Sequence, residues 1–250
     1  MSRSRRSTDF GFEEVAWEDK ADRVRGVFDS VAGRYDIMND LMSLGIHRAW
    51  KRFTLARTRL GEGGAGLDVA GGTGDLAIGM ARKAGRAGRV VLSDINFSML
   101  ARGRDRVVDE GLMDRMSFCV ADAERLPFPE EEFDCVTMGF GLRNVTDKPA
   151  ALKSIFGVLK PGGQALILEF SRPVVPGLTP LNDLYSFKVL PLLGRAVAGD
   201  PDSYRYLAES IRMHPDQDTL EQMMIDAGFE NTGYHNLTGG IVALHFGYRL

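Results

Sequence analysis

A glycine-rich turn in the first half of the chain has the residue types that bind a nucleotide-like ligand. Leu67–Asp75 begins as an apolar strand and continues through Gly72, Thr73 and Gly74 into a predicted helix. Glycines let the backbone approach a ligand closely, and free amides at a helix N-terminus can receive an anion. Because Gly72 to Ala77 also satisfies the G-x-G-x-x-G/A dinucleotide fingerprint, this turn alone leaves the kind of nucleotide open.

Three carboxylates end successive predicted strands beside this turn. Asp68 lies in the first strand, Asp94 ends the second strand roughly 20 residues beyond the turn, and Asp122 ends the third. Ligands of open α/β sheets bind outside the carboxyl ends of the strands, where all three acids are expected. Asp68 suits a cationic ligand, Asp94 can accept hydrogen bonds from both ribose hydroxyls, and Asp122 can accept one from an adenine amino group. Each acid alone is better explained as a strand-end cap, but the three together favour S-adenosylmethionine over a nicotinamide dinucleotide.

Short apolar runs alternate with helical stretches around these residues, which is typical of βαβ units and a parallel sheet. The predicted strands are 66–70, 89–95, 116–121, 133–138 and 164–170, and the predicted helices are 76–83, 97–110, 148–159 and 218–227. Two last apolar segments, 232–237 and 241–248, flank a Thr-Gly-Gly turn and predict an antiparallel hairpin. We therefore predict a Rossmann-like α/β fold of the class I methyltransferase type, with a seven-stranded, mostly parallel sheet.

The domain prediction is a flexible tail at 1–20 and a single methyltransferase domain at 21–250. Residues 21–60 are predicted to form an N-terminal helical cap, which either packs on the sheet or also serves as a lid over a substrate pocket. Residues 176–212 are predicted to form a helical insertion rich in Leu, Tyr and Pro. The insertion allows two interpretations, core packing of a small cap or an apolar entrance formed by Leu181, Leu184, Tyr185, Phe187, Val189, Leu190, Leu192 and Leu193.

The composition narrows the class of ligand and partner. Thirty-four acidic side chains against 31 basic ones give a formal charge of −3, so no nucleic-acid partner is predicted. No apolar run approaches the roughly 18–20 residues that cross a bilayer, so any membrane contact is predicted to be peripheral. Two cysteines and four scattered histidines do not have metal-ligand spacing, and no metal is predicted.

Several longer motifs resemble those of the ubiquinone/menaquinone biosynthesis C-methyltransferases. They extend from about Phe10 to Tyr248, and the last two are more specific than the glycine turn. The segments are Phe10-Gly11-Phe12, Tyr35 to Ser43, Gly45 to Arg48, Leu67 to Asp75, Phe140 to Asp147, and Ser203 to Asp218.

This resemblance implies a cytoplasmic enzyme, or one peripheral at the inner membrane, that methylates a ring carbon of a polyprenylated quinol. The acceptor would be 2-methoxy-6-polyprenyl-1,4-benzoquinol, demethylmenaquinol or both. A homodimer and assembly with other quinone-pathway proteins both stay open. By motif position, the family's contacts with S-adenosylmethionine fall on Thr73, Asp94, Asp122, Ala123 and Gly139. The family often has serine at this last position, so a side-chain hydrogen bond is absent here.

The resemblance also implies that Tyr35, Arg143 and Asn144 are catalytic residues. Asp36 and His47 are further candidates. A guanidinium is essentially always protonated, so we assign Arg143 to stabilising a phenolate or orienting a water molecule rather than to proton abstraction. Three other functions stay open. They are a methyltransferase acting on another small acceptor, a nicotinamide-dependent oxidoreductase, and a catalytically silent scaffold subunit.

Overall fold

Seven strands form one mixed sheet in the computed structural model, which describes residues 6–31, 39–40, 42–189, 192 and 201–250. The order across the sheet is β5-β4-β3-β6-β7-β9-β8, and a separate hairpin of β1 and β2 precedes it. The strands are β1 Ser7–Phe10, β2 Glu13–Ala16, β3 Ala65–Asp68, β4 Arg89–Asp94, β5 Met116–Val120, β6 Phe133–Gly139, β7 Leu159–Phe170, β8 Glu230–Leu237 and β9 Val242–Tyr248.

The five strands β3 to β7 pair in parallel, and β9 pairs antiparallel with both β7 and β8. The predicted mostly parallel sheet with a C-terminal antiparallel hairpin is therefore confirmed. The helices are α1 Lys20–Val31, α2 His47–Arg57, α3 Asp75–Lys83, α4 Phe97–Asp109, α5 Lys148–Val158, α6 Leu178–Leu184, α7 Pro201–Met213 and α8 Gln217–Asp226. Because parallel strands need crossover connections, α3, α4 and α5 link successive strands and cover the sheet with apolar side chains.

Helix α5 ends one residue earlier than predicted, and the strand after it begins earlier. The predicted strand begins at residue 164, yet strand β7 already starts at Leu159 and contains Lys160 to Gly163, whose Pro-Gly-Gly run is typical of a helix end. The register between β6 and β7 shifts between Phe133 and Cys135, and Gly162 has a φ of 81°. The Pro-Gly-Gly signal therefore marks an irregular strand start rather than a helix stop, because glycine adopts this backbone angle at little cost.

The predicted flexible tail is wrong for residues 7–16, which form the antiparallel pair β1 and β2. The hairpin is held by contacts that are distant in the sequence. The Phe10 ring stacks on the Tyr206 ring at a centroid distance of 4.2 Å, the Phe12 amide donates to Glu209 Oε2 at 3.0 Å, and Val15 is buried. Tertiary packing thus orders a segment whose short local pattern does not predict a strand.

The N-terminal cap and the insertion are helical where the structure describes them. Helices α1 and α2 lie within the predicted cap, and α6, a π-helical turn at Tyr185–Val189, and α7 lie within the predicted insertion. Leu190 and Leu193 of the predicted apolar entrance lie outside the described residues. In that described part, no helix combines the length and the apolar character that a bilayer crossing requires.

Candidate functional site

A cleft of about 830 Å³ opens at the carboxyl ends of β3, β4, β5 and β6, and α1 covers one side of it. Each strand contributes the residues that follow it, so the parallel topology explains why positions far apart in the sequence meet here. The lining includes Ala21, Val24, Arg25, Phe28, Ala70, Gly72, Asp94, Ile95, Asn96, Met99, Ala121, Asp122, Ala123, Phe140, Gly141 and Asn144.

Asp94 is the buried carboxylate of this cleft. Its Oδ2 accepts from the Gly72 amide at 2.9 Å and its Oδ1 from the Asn96 amide at 2.8 Å. Burial raises the pKa of Asp94 to about 6, although these two hydrogen bonds favour the ionised form. The side chain therefore links the glycine turn to the end of β4 and keeps further lone pairs for a ligand.

Asp68 ends β3, as the sequence predicts, but it is not among the residues that line the cleft. It is 1% exposed. Its Oδ1 accepts from the Thr137 hydroxyl at 2.7 Å and its Oδ2 from the Ala77 amide at 3.0 Å. Burial raises the pKa of Asp68 to about 7. The residue therefore joins β3 to β6 and to the first turn of α3 beneath the glycine turn, and a contact with a cationic ligand stays a prediction.

The glycine turn offers fewer free amides than the sequence predicts. The Gly72 amide is bonded to Asp94 and the Ala77 amide to Asp68. Asp75, in the first turn of α3, bonds Lys51 Nζ at 2.6 Å and Arg106 Nη2 at 2.7 Å. Burial alone would raise the pKa of Asp75, but these two cations lower it to about 2. The helix N-terminus thus already has an anion next to it.

The remaining predicted cofactor residues divide into two groups. Asp122 and Ala123 line the cleft, and Asp122 also caps the short helical turn Ala123–Arg125 by accepting from the Glu124 amide at 2.9 Å. Thr73, Gly74 and Gly139 are not among the lining residues. The Thr73 carbonyl instead accepts from Arg106 Nη1 at 2.8 Å. Cofactor contacts at these three positions therefore stay predictions.

Two non-glycine residues of the cleft have left-handed backbone angles. Ala70 has a φ of 49° and Phe140 a φ of 59°. A Cβ added at Gly141 would lie 2.7 Å from the Ala70 Cβ, so the two turns approach each other closely. Such angles cost free energy and tend to occur at functional sites.

Replacing Ala70 with glycine is expected to raise the free energy of unfolding by about 0.5–1 kcal/mol, because relief of the left-handed angle exceeds the extra entropy of the unfolded chain. Ala77→Gly, at the third residue of α3, is the control and should lower it by about 1 kcal/mol. Urea unfolding of both variants measures the difference. Equal losses in the two variants would show that Ala70 is not strained.

Arg143 is held in a buried ion pair. Its Nη1 contacts Glu169 Oε1 at 3.0 Å, and the two side chains are 4% and 1% exposed. The Arg143 amide donates to Glu169 Oε2 at 3.2 Å, and Nη1 also donates to the Phe140 carbonyl. Arg143 does not line the cofactor cleft. A guanidinium has N–H donors and no acceptor, so this geometry gives no support to Arg143 as a base.

Asn144 is the predicted catalytic residue that reaches the cleft. Its Oδ1 accepts from the Tyr206 hydroxyl at 3.1 Å. Burial raises the pKa of Tyr206, so this hydroxyl stays protonated and remains a donor. Because the carbonyl side of the amide is occupied, Asn144 offers its Nδ2 group as a hydrogen-bond donor.

Of the remaining catalytic candidates, His47 is the one that the structure describes. Tyr35 and Asp36 lie outside the described residues. His47 is buried, with its Nε2 at 2.9 Å from Asp40 Oδ1, and it does not line the cleft. Burial lowers the pKa of His47 despite this contact. His47, the first residue of α2, thus bonds Asp40 in the segment before the helix, and a catalytic role for it stays a prediction.

Sequence reasoning missed Glu169, Asn96 and the apolar walls of the cleft. Glu169 lies in the apolar run that forms β7, and a lone carboxylate in a buried strand is a signal that could have identified it. Asn96 caps α4 through the Met99 amide and donates from Nδ2 to Asp29 of α1 at 2.9 Å. Its position one residue before a predicted helix is typical of a cap.

The cleft has the chemistry that S-adenosylmethionine needs. Asp94 and Asp122 provide acceptors for ribose and adenine donors, and Ile95, Met99 and Phe140 provide apolar surface for a flat ring. Gly72 faces the same space, and a Cβ added there would already lie 3.3 Å from the Met99 methyl group. The residues present therefore fit this cofactor. In the described part of the chain, no cluster of three or more metal-ligating side chains is found.

Solved structures share this fold. A methyltransferase from Haloferax volcanii, solved with the Trm112 activator, aligns with a TM-score of 0.61 at 18% identity, covering 93% of this chain and 96% of that one. Phosphoethanolamine N-methyltransferase 2 from Haemonchus contortus, solved with S-adenosyl-L-methionine, aligns with a TM-score of 0.54 at 22% identity, covering 76% of this chain and 39% of that one. At these identities the similarity shows the fold alone, and it confirms the predicted methyltransferase architecture.

Sequence comparison shows the family. The ubiquinone/menaquinone biosynthesis C-methyltransferase UbiE of Francisella philomiragia is 58% identical over 249 residues, covering all of both chains. The protein of the same name from Escherichia coli is 57% identical, covering 100% of this chain and 99% of its own. The model of the ubiE/COQ5 methyltransferase family matches residues 16–249. The chain therefore belongs to the ubiE/COQ5 methyltransferase family.

Proposed function

We propose that this protein transfers a methyl group from S-adenosylmethionine to a ring carbon of a polyprenylated quinol in ubiquinone or menaquinone biosynthesis. The observation that carries the proposal is the 58% identity over the whole chain to a relative named for that activity. The cleft supports it, since the acids at the strand ends and the predicted catalytic Asn144 line one continuous cavity. The acceptor is 2-methoxy-6-polyprenyl-1,4-benzoquinol, demethylmenaquinol or both.

S-adenosylmethionine, when bound, supplies a methyl group that is already activated for in-line transfer. The protein must therefore align the acceptor and increase the electron density of its ring carbon. Loss of the ring hydroxyl proton increases that density, and Asn144 favours this loss by donating from Nδ2 to the ring oxygen, while its Oδ1 accepts from Tyr206. A donor aimed at an oxygen that gains negative charge stabilises the phenolate form.

Arg143 acts on the acceptor through the hydrogen-bond donor that its ion pair leaves free. The Glu169 carboxylate pairs with one edge of the guanidinium and neutralises much of its charge. The Arg143 Nε–H is buried and has no partner among the described residues, so it can still donate to a water molecule or ligand. Orienting a water molecule or a phenolate oxygen is the role that this geometry supports. Tyr35 keeps the catalytic role that the family resemblance implies.

Purified protein, methyl-labelled S-adenosylmethionine and each reduced quinol provide the direct test. Label should enter the quinol, and mass spectrometry should find a product heavier by one methyl group. Absence of transfer to either quinol would reject the proposed substrate class. Binding of a nicotinamide nucleotide without binding of S-adenosylhomocysteine would favour the oxidoreductase instead. A scaffold role predicts that Asp94→Ala leaves cellular quinone production intact, whereas an enzyme predicts accumulation of the unmethylated quinol.

We also propose that the insertion contacts the bilayer surface, where polyprenylated quinols reside. Leu181 and Leu184 on α6 and Leu192 after it are 64%, 57% and 64% exposed. Leu181 and Leu184 are three residues apart on a helix, so they share one face. Exposed leucines that cluster in this way mark an interaction site, and an apolar tail needs an apolar entrance.

Replacing Leu181 and Leu184 together with glutamate is expected to weaken cosedimentation with phospholipid vesicles by about tenfold or more, because each buried leucine contributes about 1.5–3 kcal/mol. Binding of S-adenosylhomocysteine should stay unchanged. Val108→Glu, which replaces an exposed apolar residue on α4, is the control and should sediment as the unmodified protein does. Unchanged sedimentation of the double variant would reject this face as the membrane contact.

A further inference from the structure

A second cavity, of about 510 Å³, lies against the turn that follows β6. Asn144 and Val145 of this turn line the cofactor cleft, Arg143 lines the second cavity, and Thr146 lines both. One turn of the backbone therefore separates the two spaces. The other walls of the second cavity come from β1, from the start of α1 and from α7, through Thr8, Asp9, Lys20 and Tyr206.

Two lysine ammonium groups share one backbone oxygen at this cavity. Lys20 Nζ and Lys148 Nζ each donate to the Val145 carbonyl at 3.3 Å, so they are separated by no more than twice that distance. Lys20 is 4% exposed. Within the described ranges, no carboxylate oxygen lies within 4.0 Å of either ammonium group. Two cations placed together away from water repel each other and lack part of their hydration.

The pKa shifts of the two lysines also indicate that their charged forms are destabilised. Burial, assisted by the charge of Lys148, lowers the pKa of Lys20 to about 8, and burial lowers the pKa of Lys148 as well. The charges of Glu169, Asp9, Glu124 and Asp147 oppose the shift at Lys148, and those of Asp9 and Glu124 oppose the shift at Lys20, but they do not reverse either one. The charged residues that line the cavity are three cations, Lys20, Arg143 and Lys148, against one acid, Asp9.

The Arg143 Nε–H and the two ammonium groups at this cavity offer hydrogen-bond donors to a ligand. The Arg143 Nε–H is buried and has no hydrogen-bond partner among the residues that the structure describes. An ammonium group has three donors, and the Val145 carbonyl occupies one on each lysine. A tetrahedral anion presents several acceptor oxygens and could bridge donors from three elements of the fold.

We propose that this cavity binds a small oxyanion of the phosphate class, which bridges Lys20 and Lys148. The anion relieves the repulsion between the two ammonium groups and joins α1 to the turn that carries Asn144. Ala21, which directly follows Lys20 in α1, and Val24, one helical turn after Lys20, line the cofactor cleft. Binding of the anion and of S-adenosylhomocysteine should therefore strengthen each other, because the two ligands order the same helix and turn.

Inorganic phosphate is the probe, added to the full chain with sodium chloride controls of equal ionic strength. Phosphate should raise the melting temperature, and equilibrium dialysis should find saturable binding that S-adenosylhomocysteine tightens. Lys148→Met should weaken phosphate binding by at least about tenfold, since a charge-assisted hydrogen bond is removed. Lys153→Met, which removes an exposed lysine of the same helix, is the matched control and should bind as the unmodified protein does.

Without phosphate, Lys148→Met should be at least as stable as the unmodified protein, because one of two repelling cations is removed. Circular dichroism checks its fold, and Lys20→Met provides an independent second variant. An equal rise in melting temperature in all variants would overturn the proposal, since phosphate then acts only as a salt excluded from the protein surface. Absence of saturable binding to the unmodified protein would overturn it too.

The phosphate could come from solution or from a lipid headgroup, and vesicles distinguish these sources. With a headgroup as the source, Lys148→Met reduces sedimentation with phosphatidylglycerol vesicles, while Lys153→Met does not. With a free anion as the source, sedimentation of Lys148→Met is unchanged although its phosphate binding in dialysis is lost. Both results require the loss in dialysis, so either one supports the proposed site.

Discussion

Replacing Glu169 with leucine should lower the free energy of unfolding by about 3–5 kcal/mol, because it leaves the charge of Arg143 buried without its partner. The side chains of the pair are 1% and 4% exposed, so solvent screens the lost contact very little. Glu169 also accepts from the Arg143 and Phe170 amides. Urea denaturation at neutral pH measures the loss. Glu169→Gln, which keeps a hydrogen-bond acceptor, should lose less.

The double variant Glu169→Leu/Arg143→Met tests whether the loss comes from an unpaired charge. Removing both members replaces the pair with apolar groups of similar size, and the double variant should be more stable than Glu169→Leu alone. If the double variant loses the sum of the two single losses, the pair is not coupled, and Glu169 stabilises the protein only through backbone contacts.

Asp94→Asn is expected to weaken binding of S-adenosylhomocysteine by about 100-fold or more. Two ribose hydroxyls of the ligand would donate to the Asp94 carboxylate, and each hydrogen bond to a charged acceptor contributes about 1.5–3 kcal/mol. Asparagine also has one acceptor oxygen for the Gly72 and Asn96 amides, which now use both oxygens of the carboxylate. Isothermal titration calorimetry measures the affinity. Asp105→Asn, at an exposed position of α4, is the control.

The affinity of the unmodified protein for S-adenosylhomocysteine should also depend on pH through Asp94. Burial raises the pKa of Asp94 to about 6, so the free protein holds a proton there below that pH. Hydroxyl donors prefer the ionised carboxylate, and binding must then release the proton. Affinity for S-adenosylhomocysteine should therefore increase as the pH rises through about 6 and level off above it. The dependence should vanish in Asp94→Asn, and a flat profile in the unmodified protein would contradict the role of Asp94.

Much of the site was predictable because the sheet topology is regular. Asp94 and Asp122 each follow an apolar strand, and parallel strands bring their carboxyl ends to one edge, so their convergence follows from the pattern. The hairpin of β8 and β9 was predictable from turn glycines between two apolar segments. Asn144 was predictable only by family resemblance, because a turn after a strand does not by itself indicate a reaction.

The remaining features depend on contacts between distant segments. Asp68 satisfies the same strand-end pattern as Asp94, but Thr137 on the neighbouring strand binds its carboxylate and the residue stays beneath the turn. The ordering of β1 depends on Tyr206, about 200 residues away in the sequence. The burial that lowers the pKa of Lys20 likewise arises from tertiary packing. Such partners become visible only when the chain is folded.

The hydrogen bond between Asn96 and Asp29 bears on turnover. It is the side-chain bond that joins the end of β4 to the helix above the cleft. Widening the mouth on that side breaks this bond, and a single hydrogen bond to a charged acceptor contributes about 1.5–3 kcal/mol net. The Asn96–Asp29 hydrogen bond is weak enough to break and re-form in every catalytic cycle. The spent cofactor can therefore leave on this side while the sheet beneath stays intact.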